Sequence, residues 1–582
     1  MKLFKYGLPF AALALLASCA NDNIDQPNGG APEAGVDGTM YMTATVALPT
    51  GAGTKAASLS GYEEGTETEY AVRDMTLYIF KLSQDNVSAK ENPDEKAEYV
   101  GYANINFGNP TDKNTDVQKQ YTATFQIGAD VVNLDAQKKP ADGAEYYGLL
   151  IVNQTNNTRF TAPSGSVNYL GWNKAQVMNV SDLGETFGKE AMITDNYFFM
   201  SNAPQAVKAQ DDDTYSPQTL VYIDTQKFAT SPAQATEKCA TFFVQRGVAK
   251  LNLSTTEAGW SKVPVEIEYP AGTEATQKDV VDMKNWTIDN ANLVTYPVQH
   301  VEKAAFTTWC TYPTSDNYFI ASISGKNDLA NHIWWAVDPN YDTNQTPNTF
   351  ALSFKSIENV SAINFPLQAV GETEAHLSDY CLENTMATEW MNKKRTTRVV
   401  FEGIYKIKGE EWSEDYAGFA VYNDLAVKIK KADMNNEEQA SSLSISLTDL
   451  INPEKLDDYK SDLLMGVNTA NVAYYAGAKC YYTAYIRHFS DDETPLTSTQ
   501  KESLWTLGDE ANKYEAKQTG RYGVLRNNAY GVKVIAVAGY GSPIIPDDPD
   551  EPDDKEDPIK YNAKVEINVL NWAKRDSEYT LK

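Results

Sequence analysis

The chain has 582 residues, with 50 Lys and Arg against 79 Asp and Glu, so its formal net charge is -29. This charge argues against nucleic acid and anionic membrane surfaces as partners, since both are polyanions. Hydrophobic residues make up 42% of the chain, enough to bury a core, and the four histidines have no metal-ligand spacing. No catalytic pair or G-x-S-x-G motif stands out. We therefore expect no enzyme, no cofactor and no metal.

The first 20 residues have the pattern of a bacterial lipoprotein signal. Lys2 and Lys5 precede a short apolar run, Leu8–Ala17, and the sequence LASC ends at Cys19. The run is too short to span a bilayer, and small residues before a thiol suit lipidation and cleavage at Cys19. We expect an exported lipoprotein, anchored in the outer membrane through Cys19. An ordinary signal peptide is the alternative.

A propeptide is expected at 20–55, where a polar tether leads into the first strand. Alternation predicts that strand, with an apolar face formed by Met40, Met42, Ala44, Val46 and Leu48. Small polar loops are where proteases cut, and the next loop, PTGAGTKAAS, holds one basic residue, Lys55. A trypsin-like protease cutting between Lys55 and Ala56 would remove the strand with its lipid. The alternative is an ordinary first strand.

The body of the chain predicts an all-β fold. Runs rich in Val, Tyr, Phe and Thr recur between turn residues, and among them are 75–79, 121–127, 145–153, 242–253, 397–408, 474–488 and 530–537. Helical patterns are few, with candidates at 442–450 and 501–511.

The distribution of tryptophan suggests a domain boundary near residue 240 within this series of β-sandwich strands. Nine of the ten Trp follow residue 240, so we expect domains at 56–240 and 241–540. The body also contains four cysteines, for which buried free thiols are the simplest interpretation: Cys239, Cys310, Cys381 and Cys480.

A proline- and acid-rich linker is expected at 541–560. Its segment PIIPDDPDEPDDKEDP should be extended and stiff, because proline fixes the backbone and like charges repel. A calcium site is the alternative for the acids, but the spacing of a calcium loop is missing.

The last segment, 561–582, contains an isolated amphipathic strand. Its apolar residues are Val565, Ile567 and Val569, followed out of phase by Leu570 and Trp572. An isolated strand cannot satisfy its backbone hydrogen-bonding groups. It must therefore join a sheet in its own chain or, as a donor strand, in another chain. The residues alone leave both arrangements open.

Taken in order, these segments resemble the fimbrillins of type V pili, in the branch of short-fimbria major subunits. The resemblance includes the signal ending at Cys19, the first strand with its loop, the linker and the final strand. Three internal motifs also carry it: FVQRGVAK at 243–250, YAGAKCYYTAYIRH at 475–488 and RNNAY at 526–530.

The resemblance implies two transthyretin-like β-sandwich domains and a structural role in cell-surface fimbriae that contribute to adhesion. It implies loss of the first strand by proteolysis and polymerisation by insertion of the C-terminal strand into a neighbouring copy. It also implies accessory tip and anchor subunits as partners. One departure is that known members are cut after arginine, whereas this loop holds Lys55. An uncut chain would act as a lipid-held anchor or terminal subunit.

A different class of function is a surface-tethered glycan-binding lipoprotein that does not polymerise. Trp334 and Trp335 would be its sugar-stacking platform, although a buried aromatic pair is the simpler interpretation. His488 lies in a tyrosine-rich strand, where a hydrogen-bonded structural role is favoured over a catalytic one.

Overall fold

The computed structural model describes residues 39–47, 66–106, 120–180, 189–208, 215–266, 278–310, 333–342, 354–355, 368–369, 377–386, 388–391, 395–435, 440–465, 470–503, 514–545 and 563–571. Strands dominate these ranges, and the predicted all-β class is confirmed. Within them, no helix has the length and apolar character needed to cross a membrane.

The strands up to the end of the first sheet are β1 (Met40–Ala47), β2 (Asp74–Leu82), β3 (Glu98–Asn106), β4 (Gln120–Ile127), β5 (Glu145–Val152), β6 (Met178–Asn179), β7 (Ile193–Thr194), β8 (Tyr197–Phe198), β9 (Met200–Asn202), β10 (Gln205–Lys208), β11 (Tyr215–Gln218), β12 (Val221–Tyr222) and β13 (Lys238–Arg246). The later strands are β14 (Val248–Thr255), β15 (Val263–Glu266), β16 (Val280–Asp289), β17 (Ala291–Asn292), β18 (Val294–Thr295), β19 (Phe354–Lys355), β20 (Gln368–Ala369), β21 (Ser378–Leu382), β22 (Arg398–Lys406), β23 (Tyr416–Tyr422), β24 (Leu425–Lys430), β25 (Ser442–Ser446), β26 (Asn471–Ala476), β27 (Lys479–Tyr485), β28 (Asn528–Ala538) and β29 (Ala563–Asn571). The α-helices are short: α1 (Glu67–Tyr70), α2 (Gln84–Ser88), α3 (Pro93–Lys96), α4 (Tyr169–Ala175), α5 (Lys303–Cys310), α6 (Leu447–Leu450), α7 (Leu456–Asp462) and α8 (Ser498–Ser503).

The first large sheet has the order β3-β2-β5-β9-β13-β1-β4, with β12 also paired to β5. Its central strands β2 and β5 pair antiparallel, with Leu77 opposite Leu150. Nearly every residue of these two strands is buried. They therefore read in sequence as continuous apolar runs instead of alternating ones.

The second large sheet has the order β21-β14-β28-β15-β16-β22-β27, with β20 on β16 and β29 on β28. Its core is built around buried residues such as Trp286, Phe401, Tyr482 and Val532. A four-stranded sheet, β24-β23-β26-β25, packs its own small core against α6 and α7.

The chain passes from the first sheet to the second at Gly247, between β13 and β14. A Cβ atom there would collide with Met192 Sδ, so a larger residue would require the buried Met192 side chain to move. The backbone N–H of Arg246 donates to Asn527 Oδ1 at 3.2 Å, and the N–H of Asn527 donates to the Val248 carbonyl at 2.7 Å. Two of the motifs quoted above, FVQRGVAK and RNNAY, thus meet where the two sheets join.

A buried ion pair stabilises this junction. Arg526 and Glu383 are in contact with both side chains fully enclosed, and Arg526 Nη2 also donates to the Tyr296 carbonyl at 2.9 Å. A buried charge is tolerated only when it is paired and hydrogen-bonded, so the arginine depends on this carboxylate.

Three of the elements predicted from the sequence differ in detail from the structure. The helix expected at 442–450 is wrong in its first half, because residues 442–446 form β25 and pair with β26. The run 242–253 is divided between β13 and β14, and 474–488 contains the β26–β27 hairpin with its turn at Gly477 and Ala478. In both runs, the point at which one strand ends and the next begins contains a glycine, which tolerates tight backbone geometry. The helix expected at 501–511 is described only as far as the end of α8.

Removing Glu383 should strongly destabilise the protein. Glu383→Ala leaves the Arg526 guanidinium buried without a counter-charge, which we expect to cost about 3–5 kcal/mol of unfolding free energy. Glu411→Ala is the control, because Glu411 is exposed at its pair with Lys406 and should cost about 0–1 kcal/mol. Urea unfolding measures both variants, and equal losses would contradict the role of the buried pair.

Candidate functional site

The first strand, β1, lies inside the first sheet with a neighbour on each edge. It runs parallel to β13, with Ala44 opposite Ala240, and antiparallel to β4, with Ala44 opposite Ala123. Met42, Ala44 and Val46 are completely buried in the core. Removing β1 would therefore open a groove one strand wide, lined by unpaired backbone groups on both sides. We call the space filled by β1 the β1 groove.

Other residues predicted for this end of the chain are only partly described. Met40 packs half-buried against the core. Leu48, the lipidation residue Cys19 and the cleavage residues Lys55 and Ala56 lie outside the described residues.

The outer face of β1 is covered by the segment 229–235. The side chain of Tyr41 packs with Ala229 and Ala235 on this face, while the backbones of Tyr41 and Ala229 exchange two hydrogen bonds along the edge of β1, each with an N···O distance of 2.9 Å. The Thr43 hydroxyl donates to the Ala235 carbonyl, and its oxygen lies 3.0 Å from Thr124 Oγ1 on β4. β1 is thus enclosed on both faces. Sequence reasoning missed this cover, because the segment has no strand-like alternation.

The strand β4 is held in the sheet through β1. The two pair along the whole of β4, from Met40 opposite Ile127 to Ala47 opposite Gln120. In the sheet as described, β4 is the terminal strand and its ladder partner is β1. Loss of β1 without a replacement would leave β4 without backbone pairing.

A β-bulge places Cys239 beside β1. The pairing between β1 and β13 shifts between Thr43 and Ala44, so Cys239 has no direct partner across the ladder. Burial raises the pKa of the Cys239 thiol to about 11, against a smaller opposite effect of the Thr43 backbone. Cys381 and Cys480 are also buried and free, while the side chain of Cys310 is outside the described set.

The helix α1, which follows the predicted cleavage loop, is fixed at the junction of the two sheets. The Glu69 carboxylate is buried, lies 3.1 Å from Lys250 Nζ and accepts a hydrogen bond from the Tyr380 hydroxyl. The Glu69 carbonyl accepts from Arg246 Nε at 2.7 Å. A cut anywhere in 48–65 would therefore separate β1 from a chain that stays anchored at α1.

The C-terminal strand β29 lies on the second sheet of its own chain. It runs antiparallel to β28, from Ala563 opposite Val537 to Asn571 opposite Asn528. Since β14 and β15 pair with β28 from the other side, β29 occupies the outer edge of this sheet in the part of the chain that the structure describes. Of the two arrangements left open by the sequence, the single chain has the one within its own sheet.

Most of the predicted donor residues fall within β29, and Trp572 lies outside the described residues. The register places them opposite four residues of β28, with the pairs Val565–Val534, Ile567–Val532, Val569–Tyr530 and Leu570–Ala529.

Trp334, Trp335 and His488 are buried in the core of the protein. Trp334 is 4% exposed and Trp335 is 1% exposed, so neither ring offers a face on which a sugar could stack. His488 Nδ1 lies 2.7 Å from the Tyr530 hydroxyl, and its Nε2 lies 3.1 Å from the Trp334 carbonyl oxygen. Both ring nitrogens of the histidine are thus engaged in the core.

The C-terminal region matches a known protein family. Residues 473–578 match the family model described as "Major fimbrial subunit protein type IV, Fimbrillin, C-terminal". The resemblance to the fimbrillin family is confirmed. The matched fimbrillin region extends from β26 through β28 and the linker to β29.

Three solved structures align with most of this chain at low identity. A fimbrilin (FimA) from Porphyromonas gingivalis W83 aligns over 91% of this chain and 98% of its own, with 10% identity and a TM-score of 0.34. The tip fimbrial protein Mfa3 from Porphyromonas gingivalis aligns over 92% and 100%, with 10% identity and a TM-score of 0.30. A candidate cell adhesion protein from Parabacteroides distasonis ATCC 8503 aligns over 92% and 98%, with 9% identity and a TM-score of 0.35. A comparison with curated proteins found no match.

Cys239 should report whether the β1 groove is filled. In the intact chain, burial and a pKa of about 11 leave little reactive thiolate at pH 8. We expect iodoacetamide to label Cys239 slowly before cleavage in 48–65 and much faster once β1 has dissociated, as measured by peptide mass spectrometry. Cys480, fully buried in the second core, is the internal control and should stay unlabelled. Equal labelling of Cys239 before and after would contradict its dependence on β1.

Proposed function

We propose that this protein is a structural subunit of cell-surface fimbriae and that it polymerises by strand exchange. In this proposal, proteolysis removes β1, and the C-terminal strand of a neighbouring copy fills the β1 groove. The observation that carries the proposal is the contrast between the two chain ends. One end supplies a strand paired on both edges and followed by the predicted cleavage loop, and the other supplies an amphipathic strand paired on one edge.

The exchange is favourable because the groove provides more pairing than the edge of β28. A strand in the β1 groove forms hydrogen bonds to β13 and β4, whereas β29 on β28 uses one edge. Each net hydrogen bond contributes about 0.5–1.5 kcal/mol, and each fully buried Val or Ile about 1.5–3 kcal/mol. The entropy lost when the linker becomes ordered opposes this gain. That cost does not increase with the number of backbone hydrogen bonds formed in the groove.

Proteolysis determines when strand exchange can begin. As long as β1 is covalently attached, it competes for the groove at a high effective concentration. We propose that the precursor is an exported lipoprotein, held in the outer membrane through Cys19, and that a trypsin-like protease cuts between Lys55 and Ala56. The mature subunit keeps its anchor at α1 and loses both β1 and the lipid.

The geometry of exchange gives a filament. The donor strand and the groove belong to different sheets, so the contact is head-to-tail, and a head-to-tail contact whose rotation does not close a ring builds an open filament. A linker at 541–560 could extend to about 60 Å at about 3.1 Å per residue. The partners are then further copies of this chain, with accessory tip and anchor subunits at the filament ends. A contribution to adhesion belongs to the same proposal. The glycan-binding alternative has lost its candidate platform, since Trp334 and Trp335 are buried.

Introducing a charge on the apolar face of the C-terminal strand should prevent polymerisation. Val565→Asp would put a carboxylate into the core of the acceptor, where an unpaired charge is costly. Asn568→Asp is the matched control, because it introduces the same charge on the opposite face. We expect the ladder of polymers on a gel of unboiled surface protein to disappear with Val565→Asp and to persist with Asn568→Asp. Loss of monomer folding with Val565→Asp would indicate instead that the strand is needed in its own sheet.

Removing the predicted cleavage residue should arrest the precursor. With Lys55→Ala, we expect a full-length lipidated monomer in the outer membrane and no fimbriae, as judged by electron microscopy and intact mass. Lys90→Ala is the control, because Lys90 lies after α2 and outside the loop. Normal fimbriae from Lys55→Ala would contradict the cleavage assignment.

A further inference from the structure

Three alanines form a row across the first sheet at the middle of β1. Ala123 on β4, Ala44 on β1 and Ala240 on β13 lie opposite one another and are buried in the same core. Protein interiors are close-packed, so the space beside these methyl groups is filled by other side chains. A larger residue in the middle of the row would have to displace them.

Larger residues border this row on both sides. Met42, two residues before Ala44, lies opposite Phe125 on β4. Val46, two residues after Ala44, lies opposite Phe242 on β13. Along the groove, the core positions therefore alternate large, small and large. A strand that replaces β1 must offer a small residue between two larger ones in the same phase.

The sequence of the C-terminal strand contains this pattern once at its start. In the apolar phase, Ala563 lies between Tyr561 and Val565 and is followed by Ile567 and Val569. We propose that Ala563 of a neighbouring copy takes the place of Ala44 and so fixes the register of the joint. This inference rests on the proposed strand exchange and adds the residue that aligns it. It holds for either direction of the entering strand, because a large residue flanks Ala563 on each side.

Other registers are disfavoured by size or by charge. A shift of two residues puts Tyr561 or Val565 into the alanine row, where there is no space for the extra atoms. A shift of one residue turns the strand over and puts Asn562 or Lys564 into the core. The alanine row thus selects one register, because the other apolar residues of the strand are all larger than alanine.

Cysteine cross-linking tests the register directly. Each variant of the full chain carries Ala123→Cys on the acceptor side, one cysteine on the C-terminal strand, and Cys239→Ala to remove the thiol next to the groove. The strand positions compared are 561, 563, 565 and 567, and Ala573→Cys is the control beyond the strand. Directly opposite residues approach closely enough for a disulfide, whereas diagonal ones are about 7–8 Å apart. Fimbriae are oxidised mildly, boiled and resolved on a non-reducing denaturing gel. A second series, with Ala240→Cys in place of Ala123→Cys, tests the same strand positions from the other edge of the groove.

We expect a covalent ladder with Ala563→Cys, absent from the single-cysteine variants and from Ala573→Cys. A stronger ladder at 561, 565 or 567 would overturn the register and leave strand exchange intact. Assembled fimbriae without an intermolecular link from any of the four positions would overturn strand exchange itself, and the register with it.

A size variant gives an independent measure. Ala563→Leu should increase the dissociation rate of the joint by about tenfold to a hundredfold, because it overpacks the alanine row. Ala573→Leu is the matched control. The monomer melting temperature should not change, since β29 lies on an outer edge of its own sheet. Unchanged joints with Ala563→Leu would contradict the register.

Discussion

Every strand must pair its backbone hydrogen-bonding groups along both edges or expose them to water, and this constraint governs both ends of the chain. β1 satisfies it on both edges, between β13 and β4. Among the described residues, β29 satisfies it on one edge, against β28. The two strands therefore differ in how much pairing they gain from their positions. That difference supplies the driving force for the proposed exchange. The covalent link through 48–65 prevents the exchange until it is cut, because it keeps β1 next to its groove.

The same constraint explains which parts of the first sheet respond when β1 leaves. β4 loses its ladder partner, and the segment 229–235 loses the backbone bonds to Tyr41 and the hydroxyl of Thr43. The side of β1 under this segment is polar or aromatic, whereas an entering strand would present Lys564 and Glu566 there. Accommodating those charges requires the cover to shift toward solvent. By contrast, α1 is held by Glu69 and its partners on the second sheet, so the rest of the subunit can keep its shape.

The sequence predicted those features that rest on local patterns. Alternation at 40–48 and around Val565 and Ile567 identified both strands, and β28 follows the run 530–537 closely. Long-range pairing has no local signal. For that reason, neither the position of β1 between β13 and β4 nor the choice of β28 by β29 could be read from the residues. The bulge at Cys239 depends on the register of two strands nearly 200 residues apart, and it was missed for the same reason.

The central claim is most directly tested by a cryo-electron microscopy reconstruction of the assembled fimbria. We expect β1 to be absent from the interior subunits and residues from the C-terminal strand of the next copy to lie between β13 and β4, continuous through the linker with the neighbouring second sheet. A reconstruction in which β1 still fills its groove and β29 stays on its own β28 would contradict it.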